Sequence, residues 1–448
     1  MDFIACSRFG HFSVMVITLL LFVPVTTMAS SSPFNPTQPI FMSAEIFPQT
    51  LGFGSYFTQI EVGTPPVSQF MVIDSGSDVT RFQCKPCNCE QTPGHGFDTL
   101  NSTSFSVVPC DSAACNHFGQ HGCNNNSQCP YKVDSLDGSF SNGSLMLERL
   151  TFGSTVVPNV YFGCGHTNSG MVAGTDGLVG LGGGPLSLPN QLRLRGLADI
   201  FSYCLPSLFG GSPGWLNFSL PGAVLPAGTA WVPLLRNPNT PTYYYVGFSG
   251  LGIGGIRLPI SEESFKITKE GFGGVIIDSG TIFTRLPKPV YEVFRNAYVA
   301  KTVNLPRAPV SPVFDTCYNL SGLDPFQVPN VSFFFSAGPI LTLKVRHILA
   351  EHESYIGKEI FCLAFVPTNH ATTIIGNTQL LGIQTSFDAA AGYMGFGPST
   401  CSPPESSPDC HGHWPPRQWP PRSIALRNYI PPYPLLLNCM FIYMFFIC

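Results

Sequence analysis

One nine-residue motif occurs twice in this 448-residue chain. Ile73-Asp74-Ser75-Gly76-Ser77-Asp78-Val79-Thr80-Arg81 returns as Ile277-Asp278-Ser279-Gly280-Thr281-Ile282-Phe283-Thr284-Arg285, with six of the nine positions identical. Each copy follows an apolar run, Phe70-Met71-Val72 or Val275-Ile276, and so lies at the end of a buried strand. Each is followed, at nearly the same distance, by an apolar-apolar-Gly triplet: Leu178-Val179-Gly180 and Ile374-Ile375-Gly376. A spacing of about 200 residues is too long for a solenoid and implies two structurally related halves. A helix is expected after the second copy, opened by Pro287, with Val290, Val293, Phe294, Ala297 and Tyr298 on one face.

Composition narrows what those halves can be. Charged residues are 11% of the chain, against roughly 25% in an average soluble protein. Hydrophobic residues are 44%, which argues against disorder. Long helical bundles are also disfavoured, because their outer faces need Glu, Lys and Arg. With 45 Gly, 42 Pro and 37 Phe, the chain reads as β-rich and cut by turns. A net charge of −4 leaves no basic footprint for nucleic acid.

Both ends differ from the middle. Residues 1–29 read as a secretory signal peptide: Arg8, an apolar run from Val14 to Val25, and the small-residue site Thr27-Met28-Ala29. The expected destination is extracellular, with the vacuole or a lipid-anchored surface as alternatives. Six N-x-[ST] sequons, at Asn101, Asn125, Asn142, Asn217, Asn319 and Asn330, suit that route. Residues 30–54 read as a short propeptide-like or N-terminal segment. The tail 402–448 repeats Trp-Pro-Pro-Arg at Trp414 and Trp419 and ends in an apolar run. The favoured reading of the tail is a segment without function. The alternative is a removable lipid-anchor signal with a small residue such as Ser423 upstream, the one route by which a membrane would be a partner.

Sixteen cysteines are present. Removing Cys6 and the tail's Cys410, Cys439 and Cys448 leaves an even set, as a disulfide framework needs. Seven of these crowd between Cys84 and Cys129, in a Gly/Asn/Ser-rich stretch that cannot build its own core and needs staples. Cys115, His117, His121 and Cys123 have zinc-ligand chemistry, but in a secreted chain they are read as bridges and exposed loop histidines. No metal and no cofactor is expected.

Two D-S-G-[ST] loops facing each other would bring two carboxylates together. Like charges a few ångströms apart cannot both ionise easily, so the pair shares a proton. One carboxylate can then act as base toward a water while the other, protonated, polarises a carbonyl. A single D-S-G is more often an Asx-type turn; two copies with matching downstream triplets are not explained that way.

Further motifs agree: Tyr56-Phe57, Gly63-Thr64-Pro65-Pro66, Cys84-x-x-Cys87, Phe162-Gly163-Cys164-Gly165-His166, Gly177 to Gly182, Phe201-Ser202-Tyr203-Cys204, Ile375-Gly376-Asn377 and Gly395-Phe396-Gly397. On these residues the chain resembles the pepsin-family aspartic proteases, and among them the plant nepenthesin-like branch. The resemblance runs from about Ser55 to Cys401. It implies an all-β fold with few short helices, in two related lobes: residues 55–225, carrying a Cys-rich insert at 84–129, and residues 226–401. The cleft lies between the lobes, the substrate is a peptide or protein, and the molecule is a monomer.

By the same resemblance Asp74 and Asp278 are the dyad. Ser75 and Ser279 take the inner hydroxyl positions that bond across to the opposite loop, Ser77 and Thr281 donate to the carboxylates, and Gly76 and Gly280 let the loops approach. Cys317 pairs with Cys362 and Cys204 with Cys401. The other eight cysteines would form four N-lobe bridges, whose pairing stays open.

The flap departs from the family pattern. Where the branch has Tyr-Gly-Asp-Gly-Ser, this chain has Ser135-Leu136-Asp137-Gly138-Ser139. The tryptophan that the flap tyrosine bonds is replaced by Arg81. Tyr131 matches a different family position. Loss of a positioning group of this kind is worth a factor of roughly 10² in rate, and a cation at Arg81 would depress the dyad's pKa. Retention of both aspartates and all four hydroxyls favours an active endopeptidase. The alternative is a catalytically weakened, protease-like binding or inhibitor protein.

Other chemistries fit poorly. Gly210-Gly211-Ser212-Pro213-Gly214 matches G-x-S-x-G but lies in a Gly/Pro turn, and the glycine-rich stretch Gly177 to Gly184 lacks the Lys-Ser/Thr of a phosphate loop.

Overall fold

In the computed structural model of the chain, the residues described are 42–48, 54–89, 96–117, 123–124, 126–135, 138–170, 175–207, 213–220, 228–323, 327–352, 359–398 and 401. The signal peptide, the tail 402–448, the lobe boundary at 225, and Asn125, His121, Leu136 and Asp137 lie outside them.

The sequence repeat is also a repeat of strand register. In the first half, Val67–Asp74 pairs antiparallel with Tyr56–Val62 and parallel with Gly177–Gly180, so that Asp74 lies opposite Gly180. The chain then passes to Arg81–Cys89, on the other side of Gly177–Gly180, with Arg81 opposite Leu178. In the second half, Val275–Ile277 pairs antiparallel with Tyr244–Val246 and parallel with Thr373–Ile375. Thr284–Pro287 takes the far side of that strand, with Arg285 opposite Ile374. Each apolar-apolar-Gly triplet is therefore a strand threaded between the two strands that flank an aspartate loop. Val275–Ile277 and Thr373–Ile375 are buried throughout, as strands covered on both faces are.

A common floor joins the halves. Ile200–Cys204 pairs with Gly214–Ser219 on one side and with Ile383–Asp388 on the other. Ile383–Asp388 continues to Tyr393–Pro398, and that strand to Ala230–Leu235. Met42–Pro48 completes the floor, pairing with Gly214–Ser219 and with Tyr56–Val62. Part of the segment 30–54 is thus structural: Met42 and Ile46 are fully buried in the core. The aromatic content packs here, with Phe201 stacked on Phe387 at 4.4 Å and Tyr244 and Tyr203 against the same ring. Such pairs contribute about 0.5–1.5 kcal/mol each beyond their burial.

The helix Lys288–Lys301 follows Pro287. It buries Val290, Tyr291, Phe294 and Tyr298, whereas Val293 is exposed and Ala297 only half-buried. At 100° per residue the stripe centres between Val290 and Tyr291, which turns Val293 outward.

Disulfides join Cys84 to Cys164, Cys110 to Cys123, Cys115 to Cys129, Cys204 to Cys401 and Cys317 to Cys362. Cys115 and Cys123 are each in a bridge, so the four-residue zinc grouping does not form. Among the sequons, Asn101, Asn142 and Asn330 are exposed, but Asn217 is buried in the floor and has no room for a glycan in the folded protein.

Candidate active site

The two aspartate loops meet at the join of the lobes. Ser75 N donates to Ser279 Oγ at 3.0 Å and Ser279 N donates to Ser75 Oγ at 2.9 Å. The hydroxyls then donate onward, Ser75 Oγ to Ile277 O at 3.4 Å and Ser279 Oγ to Ile73 O at 3.2 Å. Both serines are buried, so these crossed bonds satisfy groups that water cannot reach.

Each carboxylate is held by mirrored donors. Asp74 accepts from Gly76 N at 2.8 Å and Ser77 Oγ at 2.5 Å. Asp278 accepts from Gly280 N at 2.9 Å and Thr281 Oγ1 at 2.6 Å. The glycines are required by closeness: a Cβ on Gly76 would lie 2.9 Å from Asp278 Oδ1, and one on Gly280 would collide with Asp74 Oδ1. Burial, and then the charge of Asp74 beside it, push the Asp278 carboxyl up to about 7, against the opposing pull of Thr281 and Gly280. Asp278 therefore keeps its proton to a higher pH than an ordinary carboxyl does. Below them Tyr203 is fully buried, and burial followed by the Asp278 charge raises its hydroxyl pKa.

At the flap, Pro130–Asp134 pairs with the strand Phe140–Phe152, with Lys132 opposite Asn142. The tip closes through Ser135 N to Ser139 O at 2.8 Å and Gly138 N to Ser135 O at 3.0 Å. Gly138 has φ +86°, a conformation that favours glycine. Asp137 lies outside the described residues. Arg81 is buried, with Nη1 donating to Val79 O at 3.5 Å. Its charge acts on Tyr131, whose hydroxyl burial pushes up to about 12 while Ser141 and Arg81 pull it down. The groups that act on Asp278 are Asp74, Thr281 and Gly280, and Arg81 is not among them.

Two further residues belong to the site. Asp78 accepts from Gly184 N at 2.8 Å and Thr242 Oγ1 at 2.6 Å. Asn377 Nδ2 donates to Gly54 O at 2.9 Å and Ser279 O at 3.1 Å. The one local signal was that Asp78 breaks the repeat, where the second copy has Ile282.

Two lobes that each present an Asp-Ser-Gly-Ser/Thr loop at a shared floor define a pepsin-like architecture. Family models described as the xylanase inhibitor N-terminal and C-terminal regions match residues 56–218 and 243–398. The chain is 46% identical over 351 residues to the protein Aspartic Protease in Guard Cell 2 of Arabidopsis thaliana, covering 78% of this chain and 73% of that one. It is 36% identical over 359 residues to the aspartic proteinase nepenthesin-2 of Nepenthes gracilis, covering 79% and 80%. The chain belongs to the plant pepsin-like aspartic protease family. Among solved structures, soybean basic 7S globulin superposes with a TM-score of 0.66 at 19% identity, over 81% of this chain and 98% of that one. At that identity the likeness speaks for the fold alone.

Proposed function

We propose that the chain is an aspartic endopeptidase that hydrolyses peptide bonds in peptide or protein substrates at acidic pH. The observation that carries this is two half-buried carboxyls at the meeting of mirrored loops, each held by a glycine N–H and a hydroxyl, with burial and the Asp74 charge raising Asp278 to about 7. In the proposed reaction a water sits between Asp74 and Asp278. The ionised carboxylate takes a proton from the water as its oxygen bonds to the carbonyl carbon. The protonated carboxyl gives its proton to the carbonyl oxygen. Collapse of the resulting diol breaks the C–N bond as the nitrogen is protonated, and the pair returns to one shared proton. The relatives named as aspartic proteases support this reading.

A second reading, a protease-like binding or inhibitor protein, is favoured by Ser135 and Arg81 in place of the family's Tyr and Trp, and by the matching family models' description as xylanase inhibitor regions. Passage through the secretory pathway belongs with either proposal and is supported by the leader and by the exposed sequons.

The test is cleavage of an unfolded protein at acidic pH by the full chain, with and without a transition-state peptide inhibitor. Cleavage that the inhibitor stops and that Asp74→Asn lacks supports the enzyme. Cleavage that is absent, or unchanged in Asp74→Asn, leaves the binding reading.

A further inference from the structure

The glycine-rich loop at 181–184 and the asymmetry between the two aspartate loops have one explanation. In the first loop, Leu181 N donates to Asp74 O and Gly182 N to Ser77 O, both at 2.8 Å. The same segment reaches the other lobe, since Gly183 N donates to Thr242 O at 2.8 Å and Tyr244 Oη donates to Leu181 O at 2.9 Å. The Asp78 carboxylate lies at the centre of these bonds. Its Oδ1 takes the Gly184 N–H and its Oδ2 takes the Thr242 hydroxyl. Thr242 lies two residues ahead of the strand Tyr244–Val246, which pairs with Val275–Ile277, the strand that delivers Asp278. One side chain thus links the loop of Asp74 to the strand pair that carries Asp278. A Cβ on Gly182 or Gly184 would collide with the Asp78 carboxylate, so the glycine run is the space this carboxylate occupies.

The other side of the molecule has a counterpart made differently. Asn377 N donates to Thr281 O at 2.8 Å, and Asn377 Nδ2 donates to Gly54 O, just ahead of the strand Tyr56–Val62 that pairs with Val67–Asp74. There the side chain donates to carbonyls, which an amide does. At Asp78 the side chain accepts from an N–H and an O–H at once, and its charge strengthens both bonds, which a neutral amide cannot do. Burial raises the Asp78 pKa, the bonds from Thr242 and Gly184 lower it, and the nearby Asp74 charge raises it; Tyr243 and Tyr244 are the other titratable groups whose charges it meets.

We propose that Asp78 is a positioning residue: its carboxylate locks the Asp74 loop, the loop 181–184 and Thr242 into one body and so sets the separation of the two carboxyls of the dyad. This rests on the reading of Asp74 and Asp278 as a catalytic pair.

The test uses the full chain with Asp78→Asn, Thr242→Val and Thr242→Ser. Amide hydrogen exchange is followed at 75–78 and 181–184, with Val331–Phe335 as an internal reference. Steady-state cleavage is measured alongside. In Asp78→Asn and Thr242→Val, exchange at both loops should quicken about tenfold, as expected for losing a charge-assisted hydrogen bond. The reference should not change. Misplacing the dyad should lower kcat by roughly 10²-fold while KM moves much less. Thr242→Ser keeps the donor and should restore both readouts. Unchanged exchange in both variants overturns the proposal, whatever happens to kcat, and so does faster exchange with kcat intact. If the parent and Asp74→Asn are equally without cleavage, the peptidase reading falls, and exchange alone decides whether Asp78 locks the loops.

Discussion

Thr281 and Ser77 each give a hydroxyl to the outer oxygen of the neighbouring aspartate, while Gly280 and Gly76 give a backbone N–H to the inner one. Four donors on two carboxylates compensate for burying them side by side. A hydrogen bond to a charged group contributes about 1.5–3 kcal/mol, so Thr281→Val should lower kcat by about tenfold or more, and Thr281→Ser should stay near the parent. Steady-state kinetics on the two variants checks this; equal rates would show that the hydroxyl does not steady the carboxyl. These residues were legible in the sequence because the motif is local: aspartate, glycine and hydroxyls lie within four positions and occur twice. Asp78 was not, because its partners Gly184 and Thr242 are 106 and 164 positions away.

The elements that hold the loops were legible to different degrees. The threaded triplets stood out because each is an unbroken apolar run ending in glycine. The floor strand Met42–Pro48 did not, because only Met42 and Ile46 are buried in it and its partners Trp215 and Phe57 are supplied by distant or reversed segments. The sequence places it within residues 30–54, the propeptide-like or N-terminal segment. Ile46 is fully buried, and Ile46→Ala should destabilise the protein by about 2–5 kcal/mol, as large-to-small changes in a core do. Chemical unfolding measures this, and a variant as stable as the parent would mean that the strand is dispensable. The flap hairpin carries its own prediction. Restoring the missing group with Ser135→Tyr should raise kcat/KM by about tenfold or more if the tip closes over the dyad. No gain would show that a tyrosine at the tip does not help to position the substrate over the dyad.

At the scale of the whole molecule, two groups shifted by burial oppose each other in acid. Asp278 is raised from 3.8 to about 7, so between those values the folded state holds more protons than the unfolded chain, and this contribution to stability is full in acid and lost as pH rises through the window. His347 is lowered from 6.5 to about 4 by burial; its Nδ1 accepts from Lys344 N at 3.0 Å and its Nε2 donates to Leu381 O at 2.8 Å. The folded state therefore holds fewer protons there, and that contribution is lost as pH falls from 6.5 toward 4. Replacing His347 with Gln should flatten the acid side of the stability curve, as seen by thermal unfolding from pH 3 to 7, and an unchanged slope would contradict it. The low charge of the chain, 11%, leaves few other carboxylates to protonate over this range.

The central claim is that Asp74 and Asp278 share a proton and work as one unit, and the pH dependence of kcat/KM for peptide cleavage tests it most directly. The account predicts a bell-shaped profile whose descending limb falls near pH 7, where the pair loses its shared proton, with no activity in Asp74→Asn or Asp278→Asn. A rate that continues undiminished well above pH 7, or that survives either substitution, would contradict it.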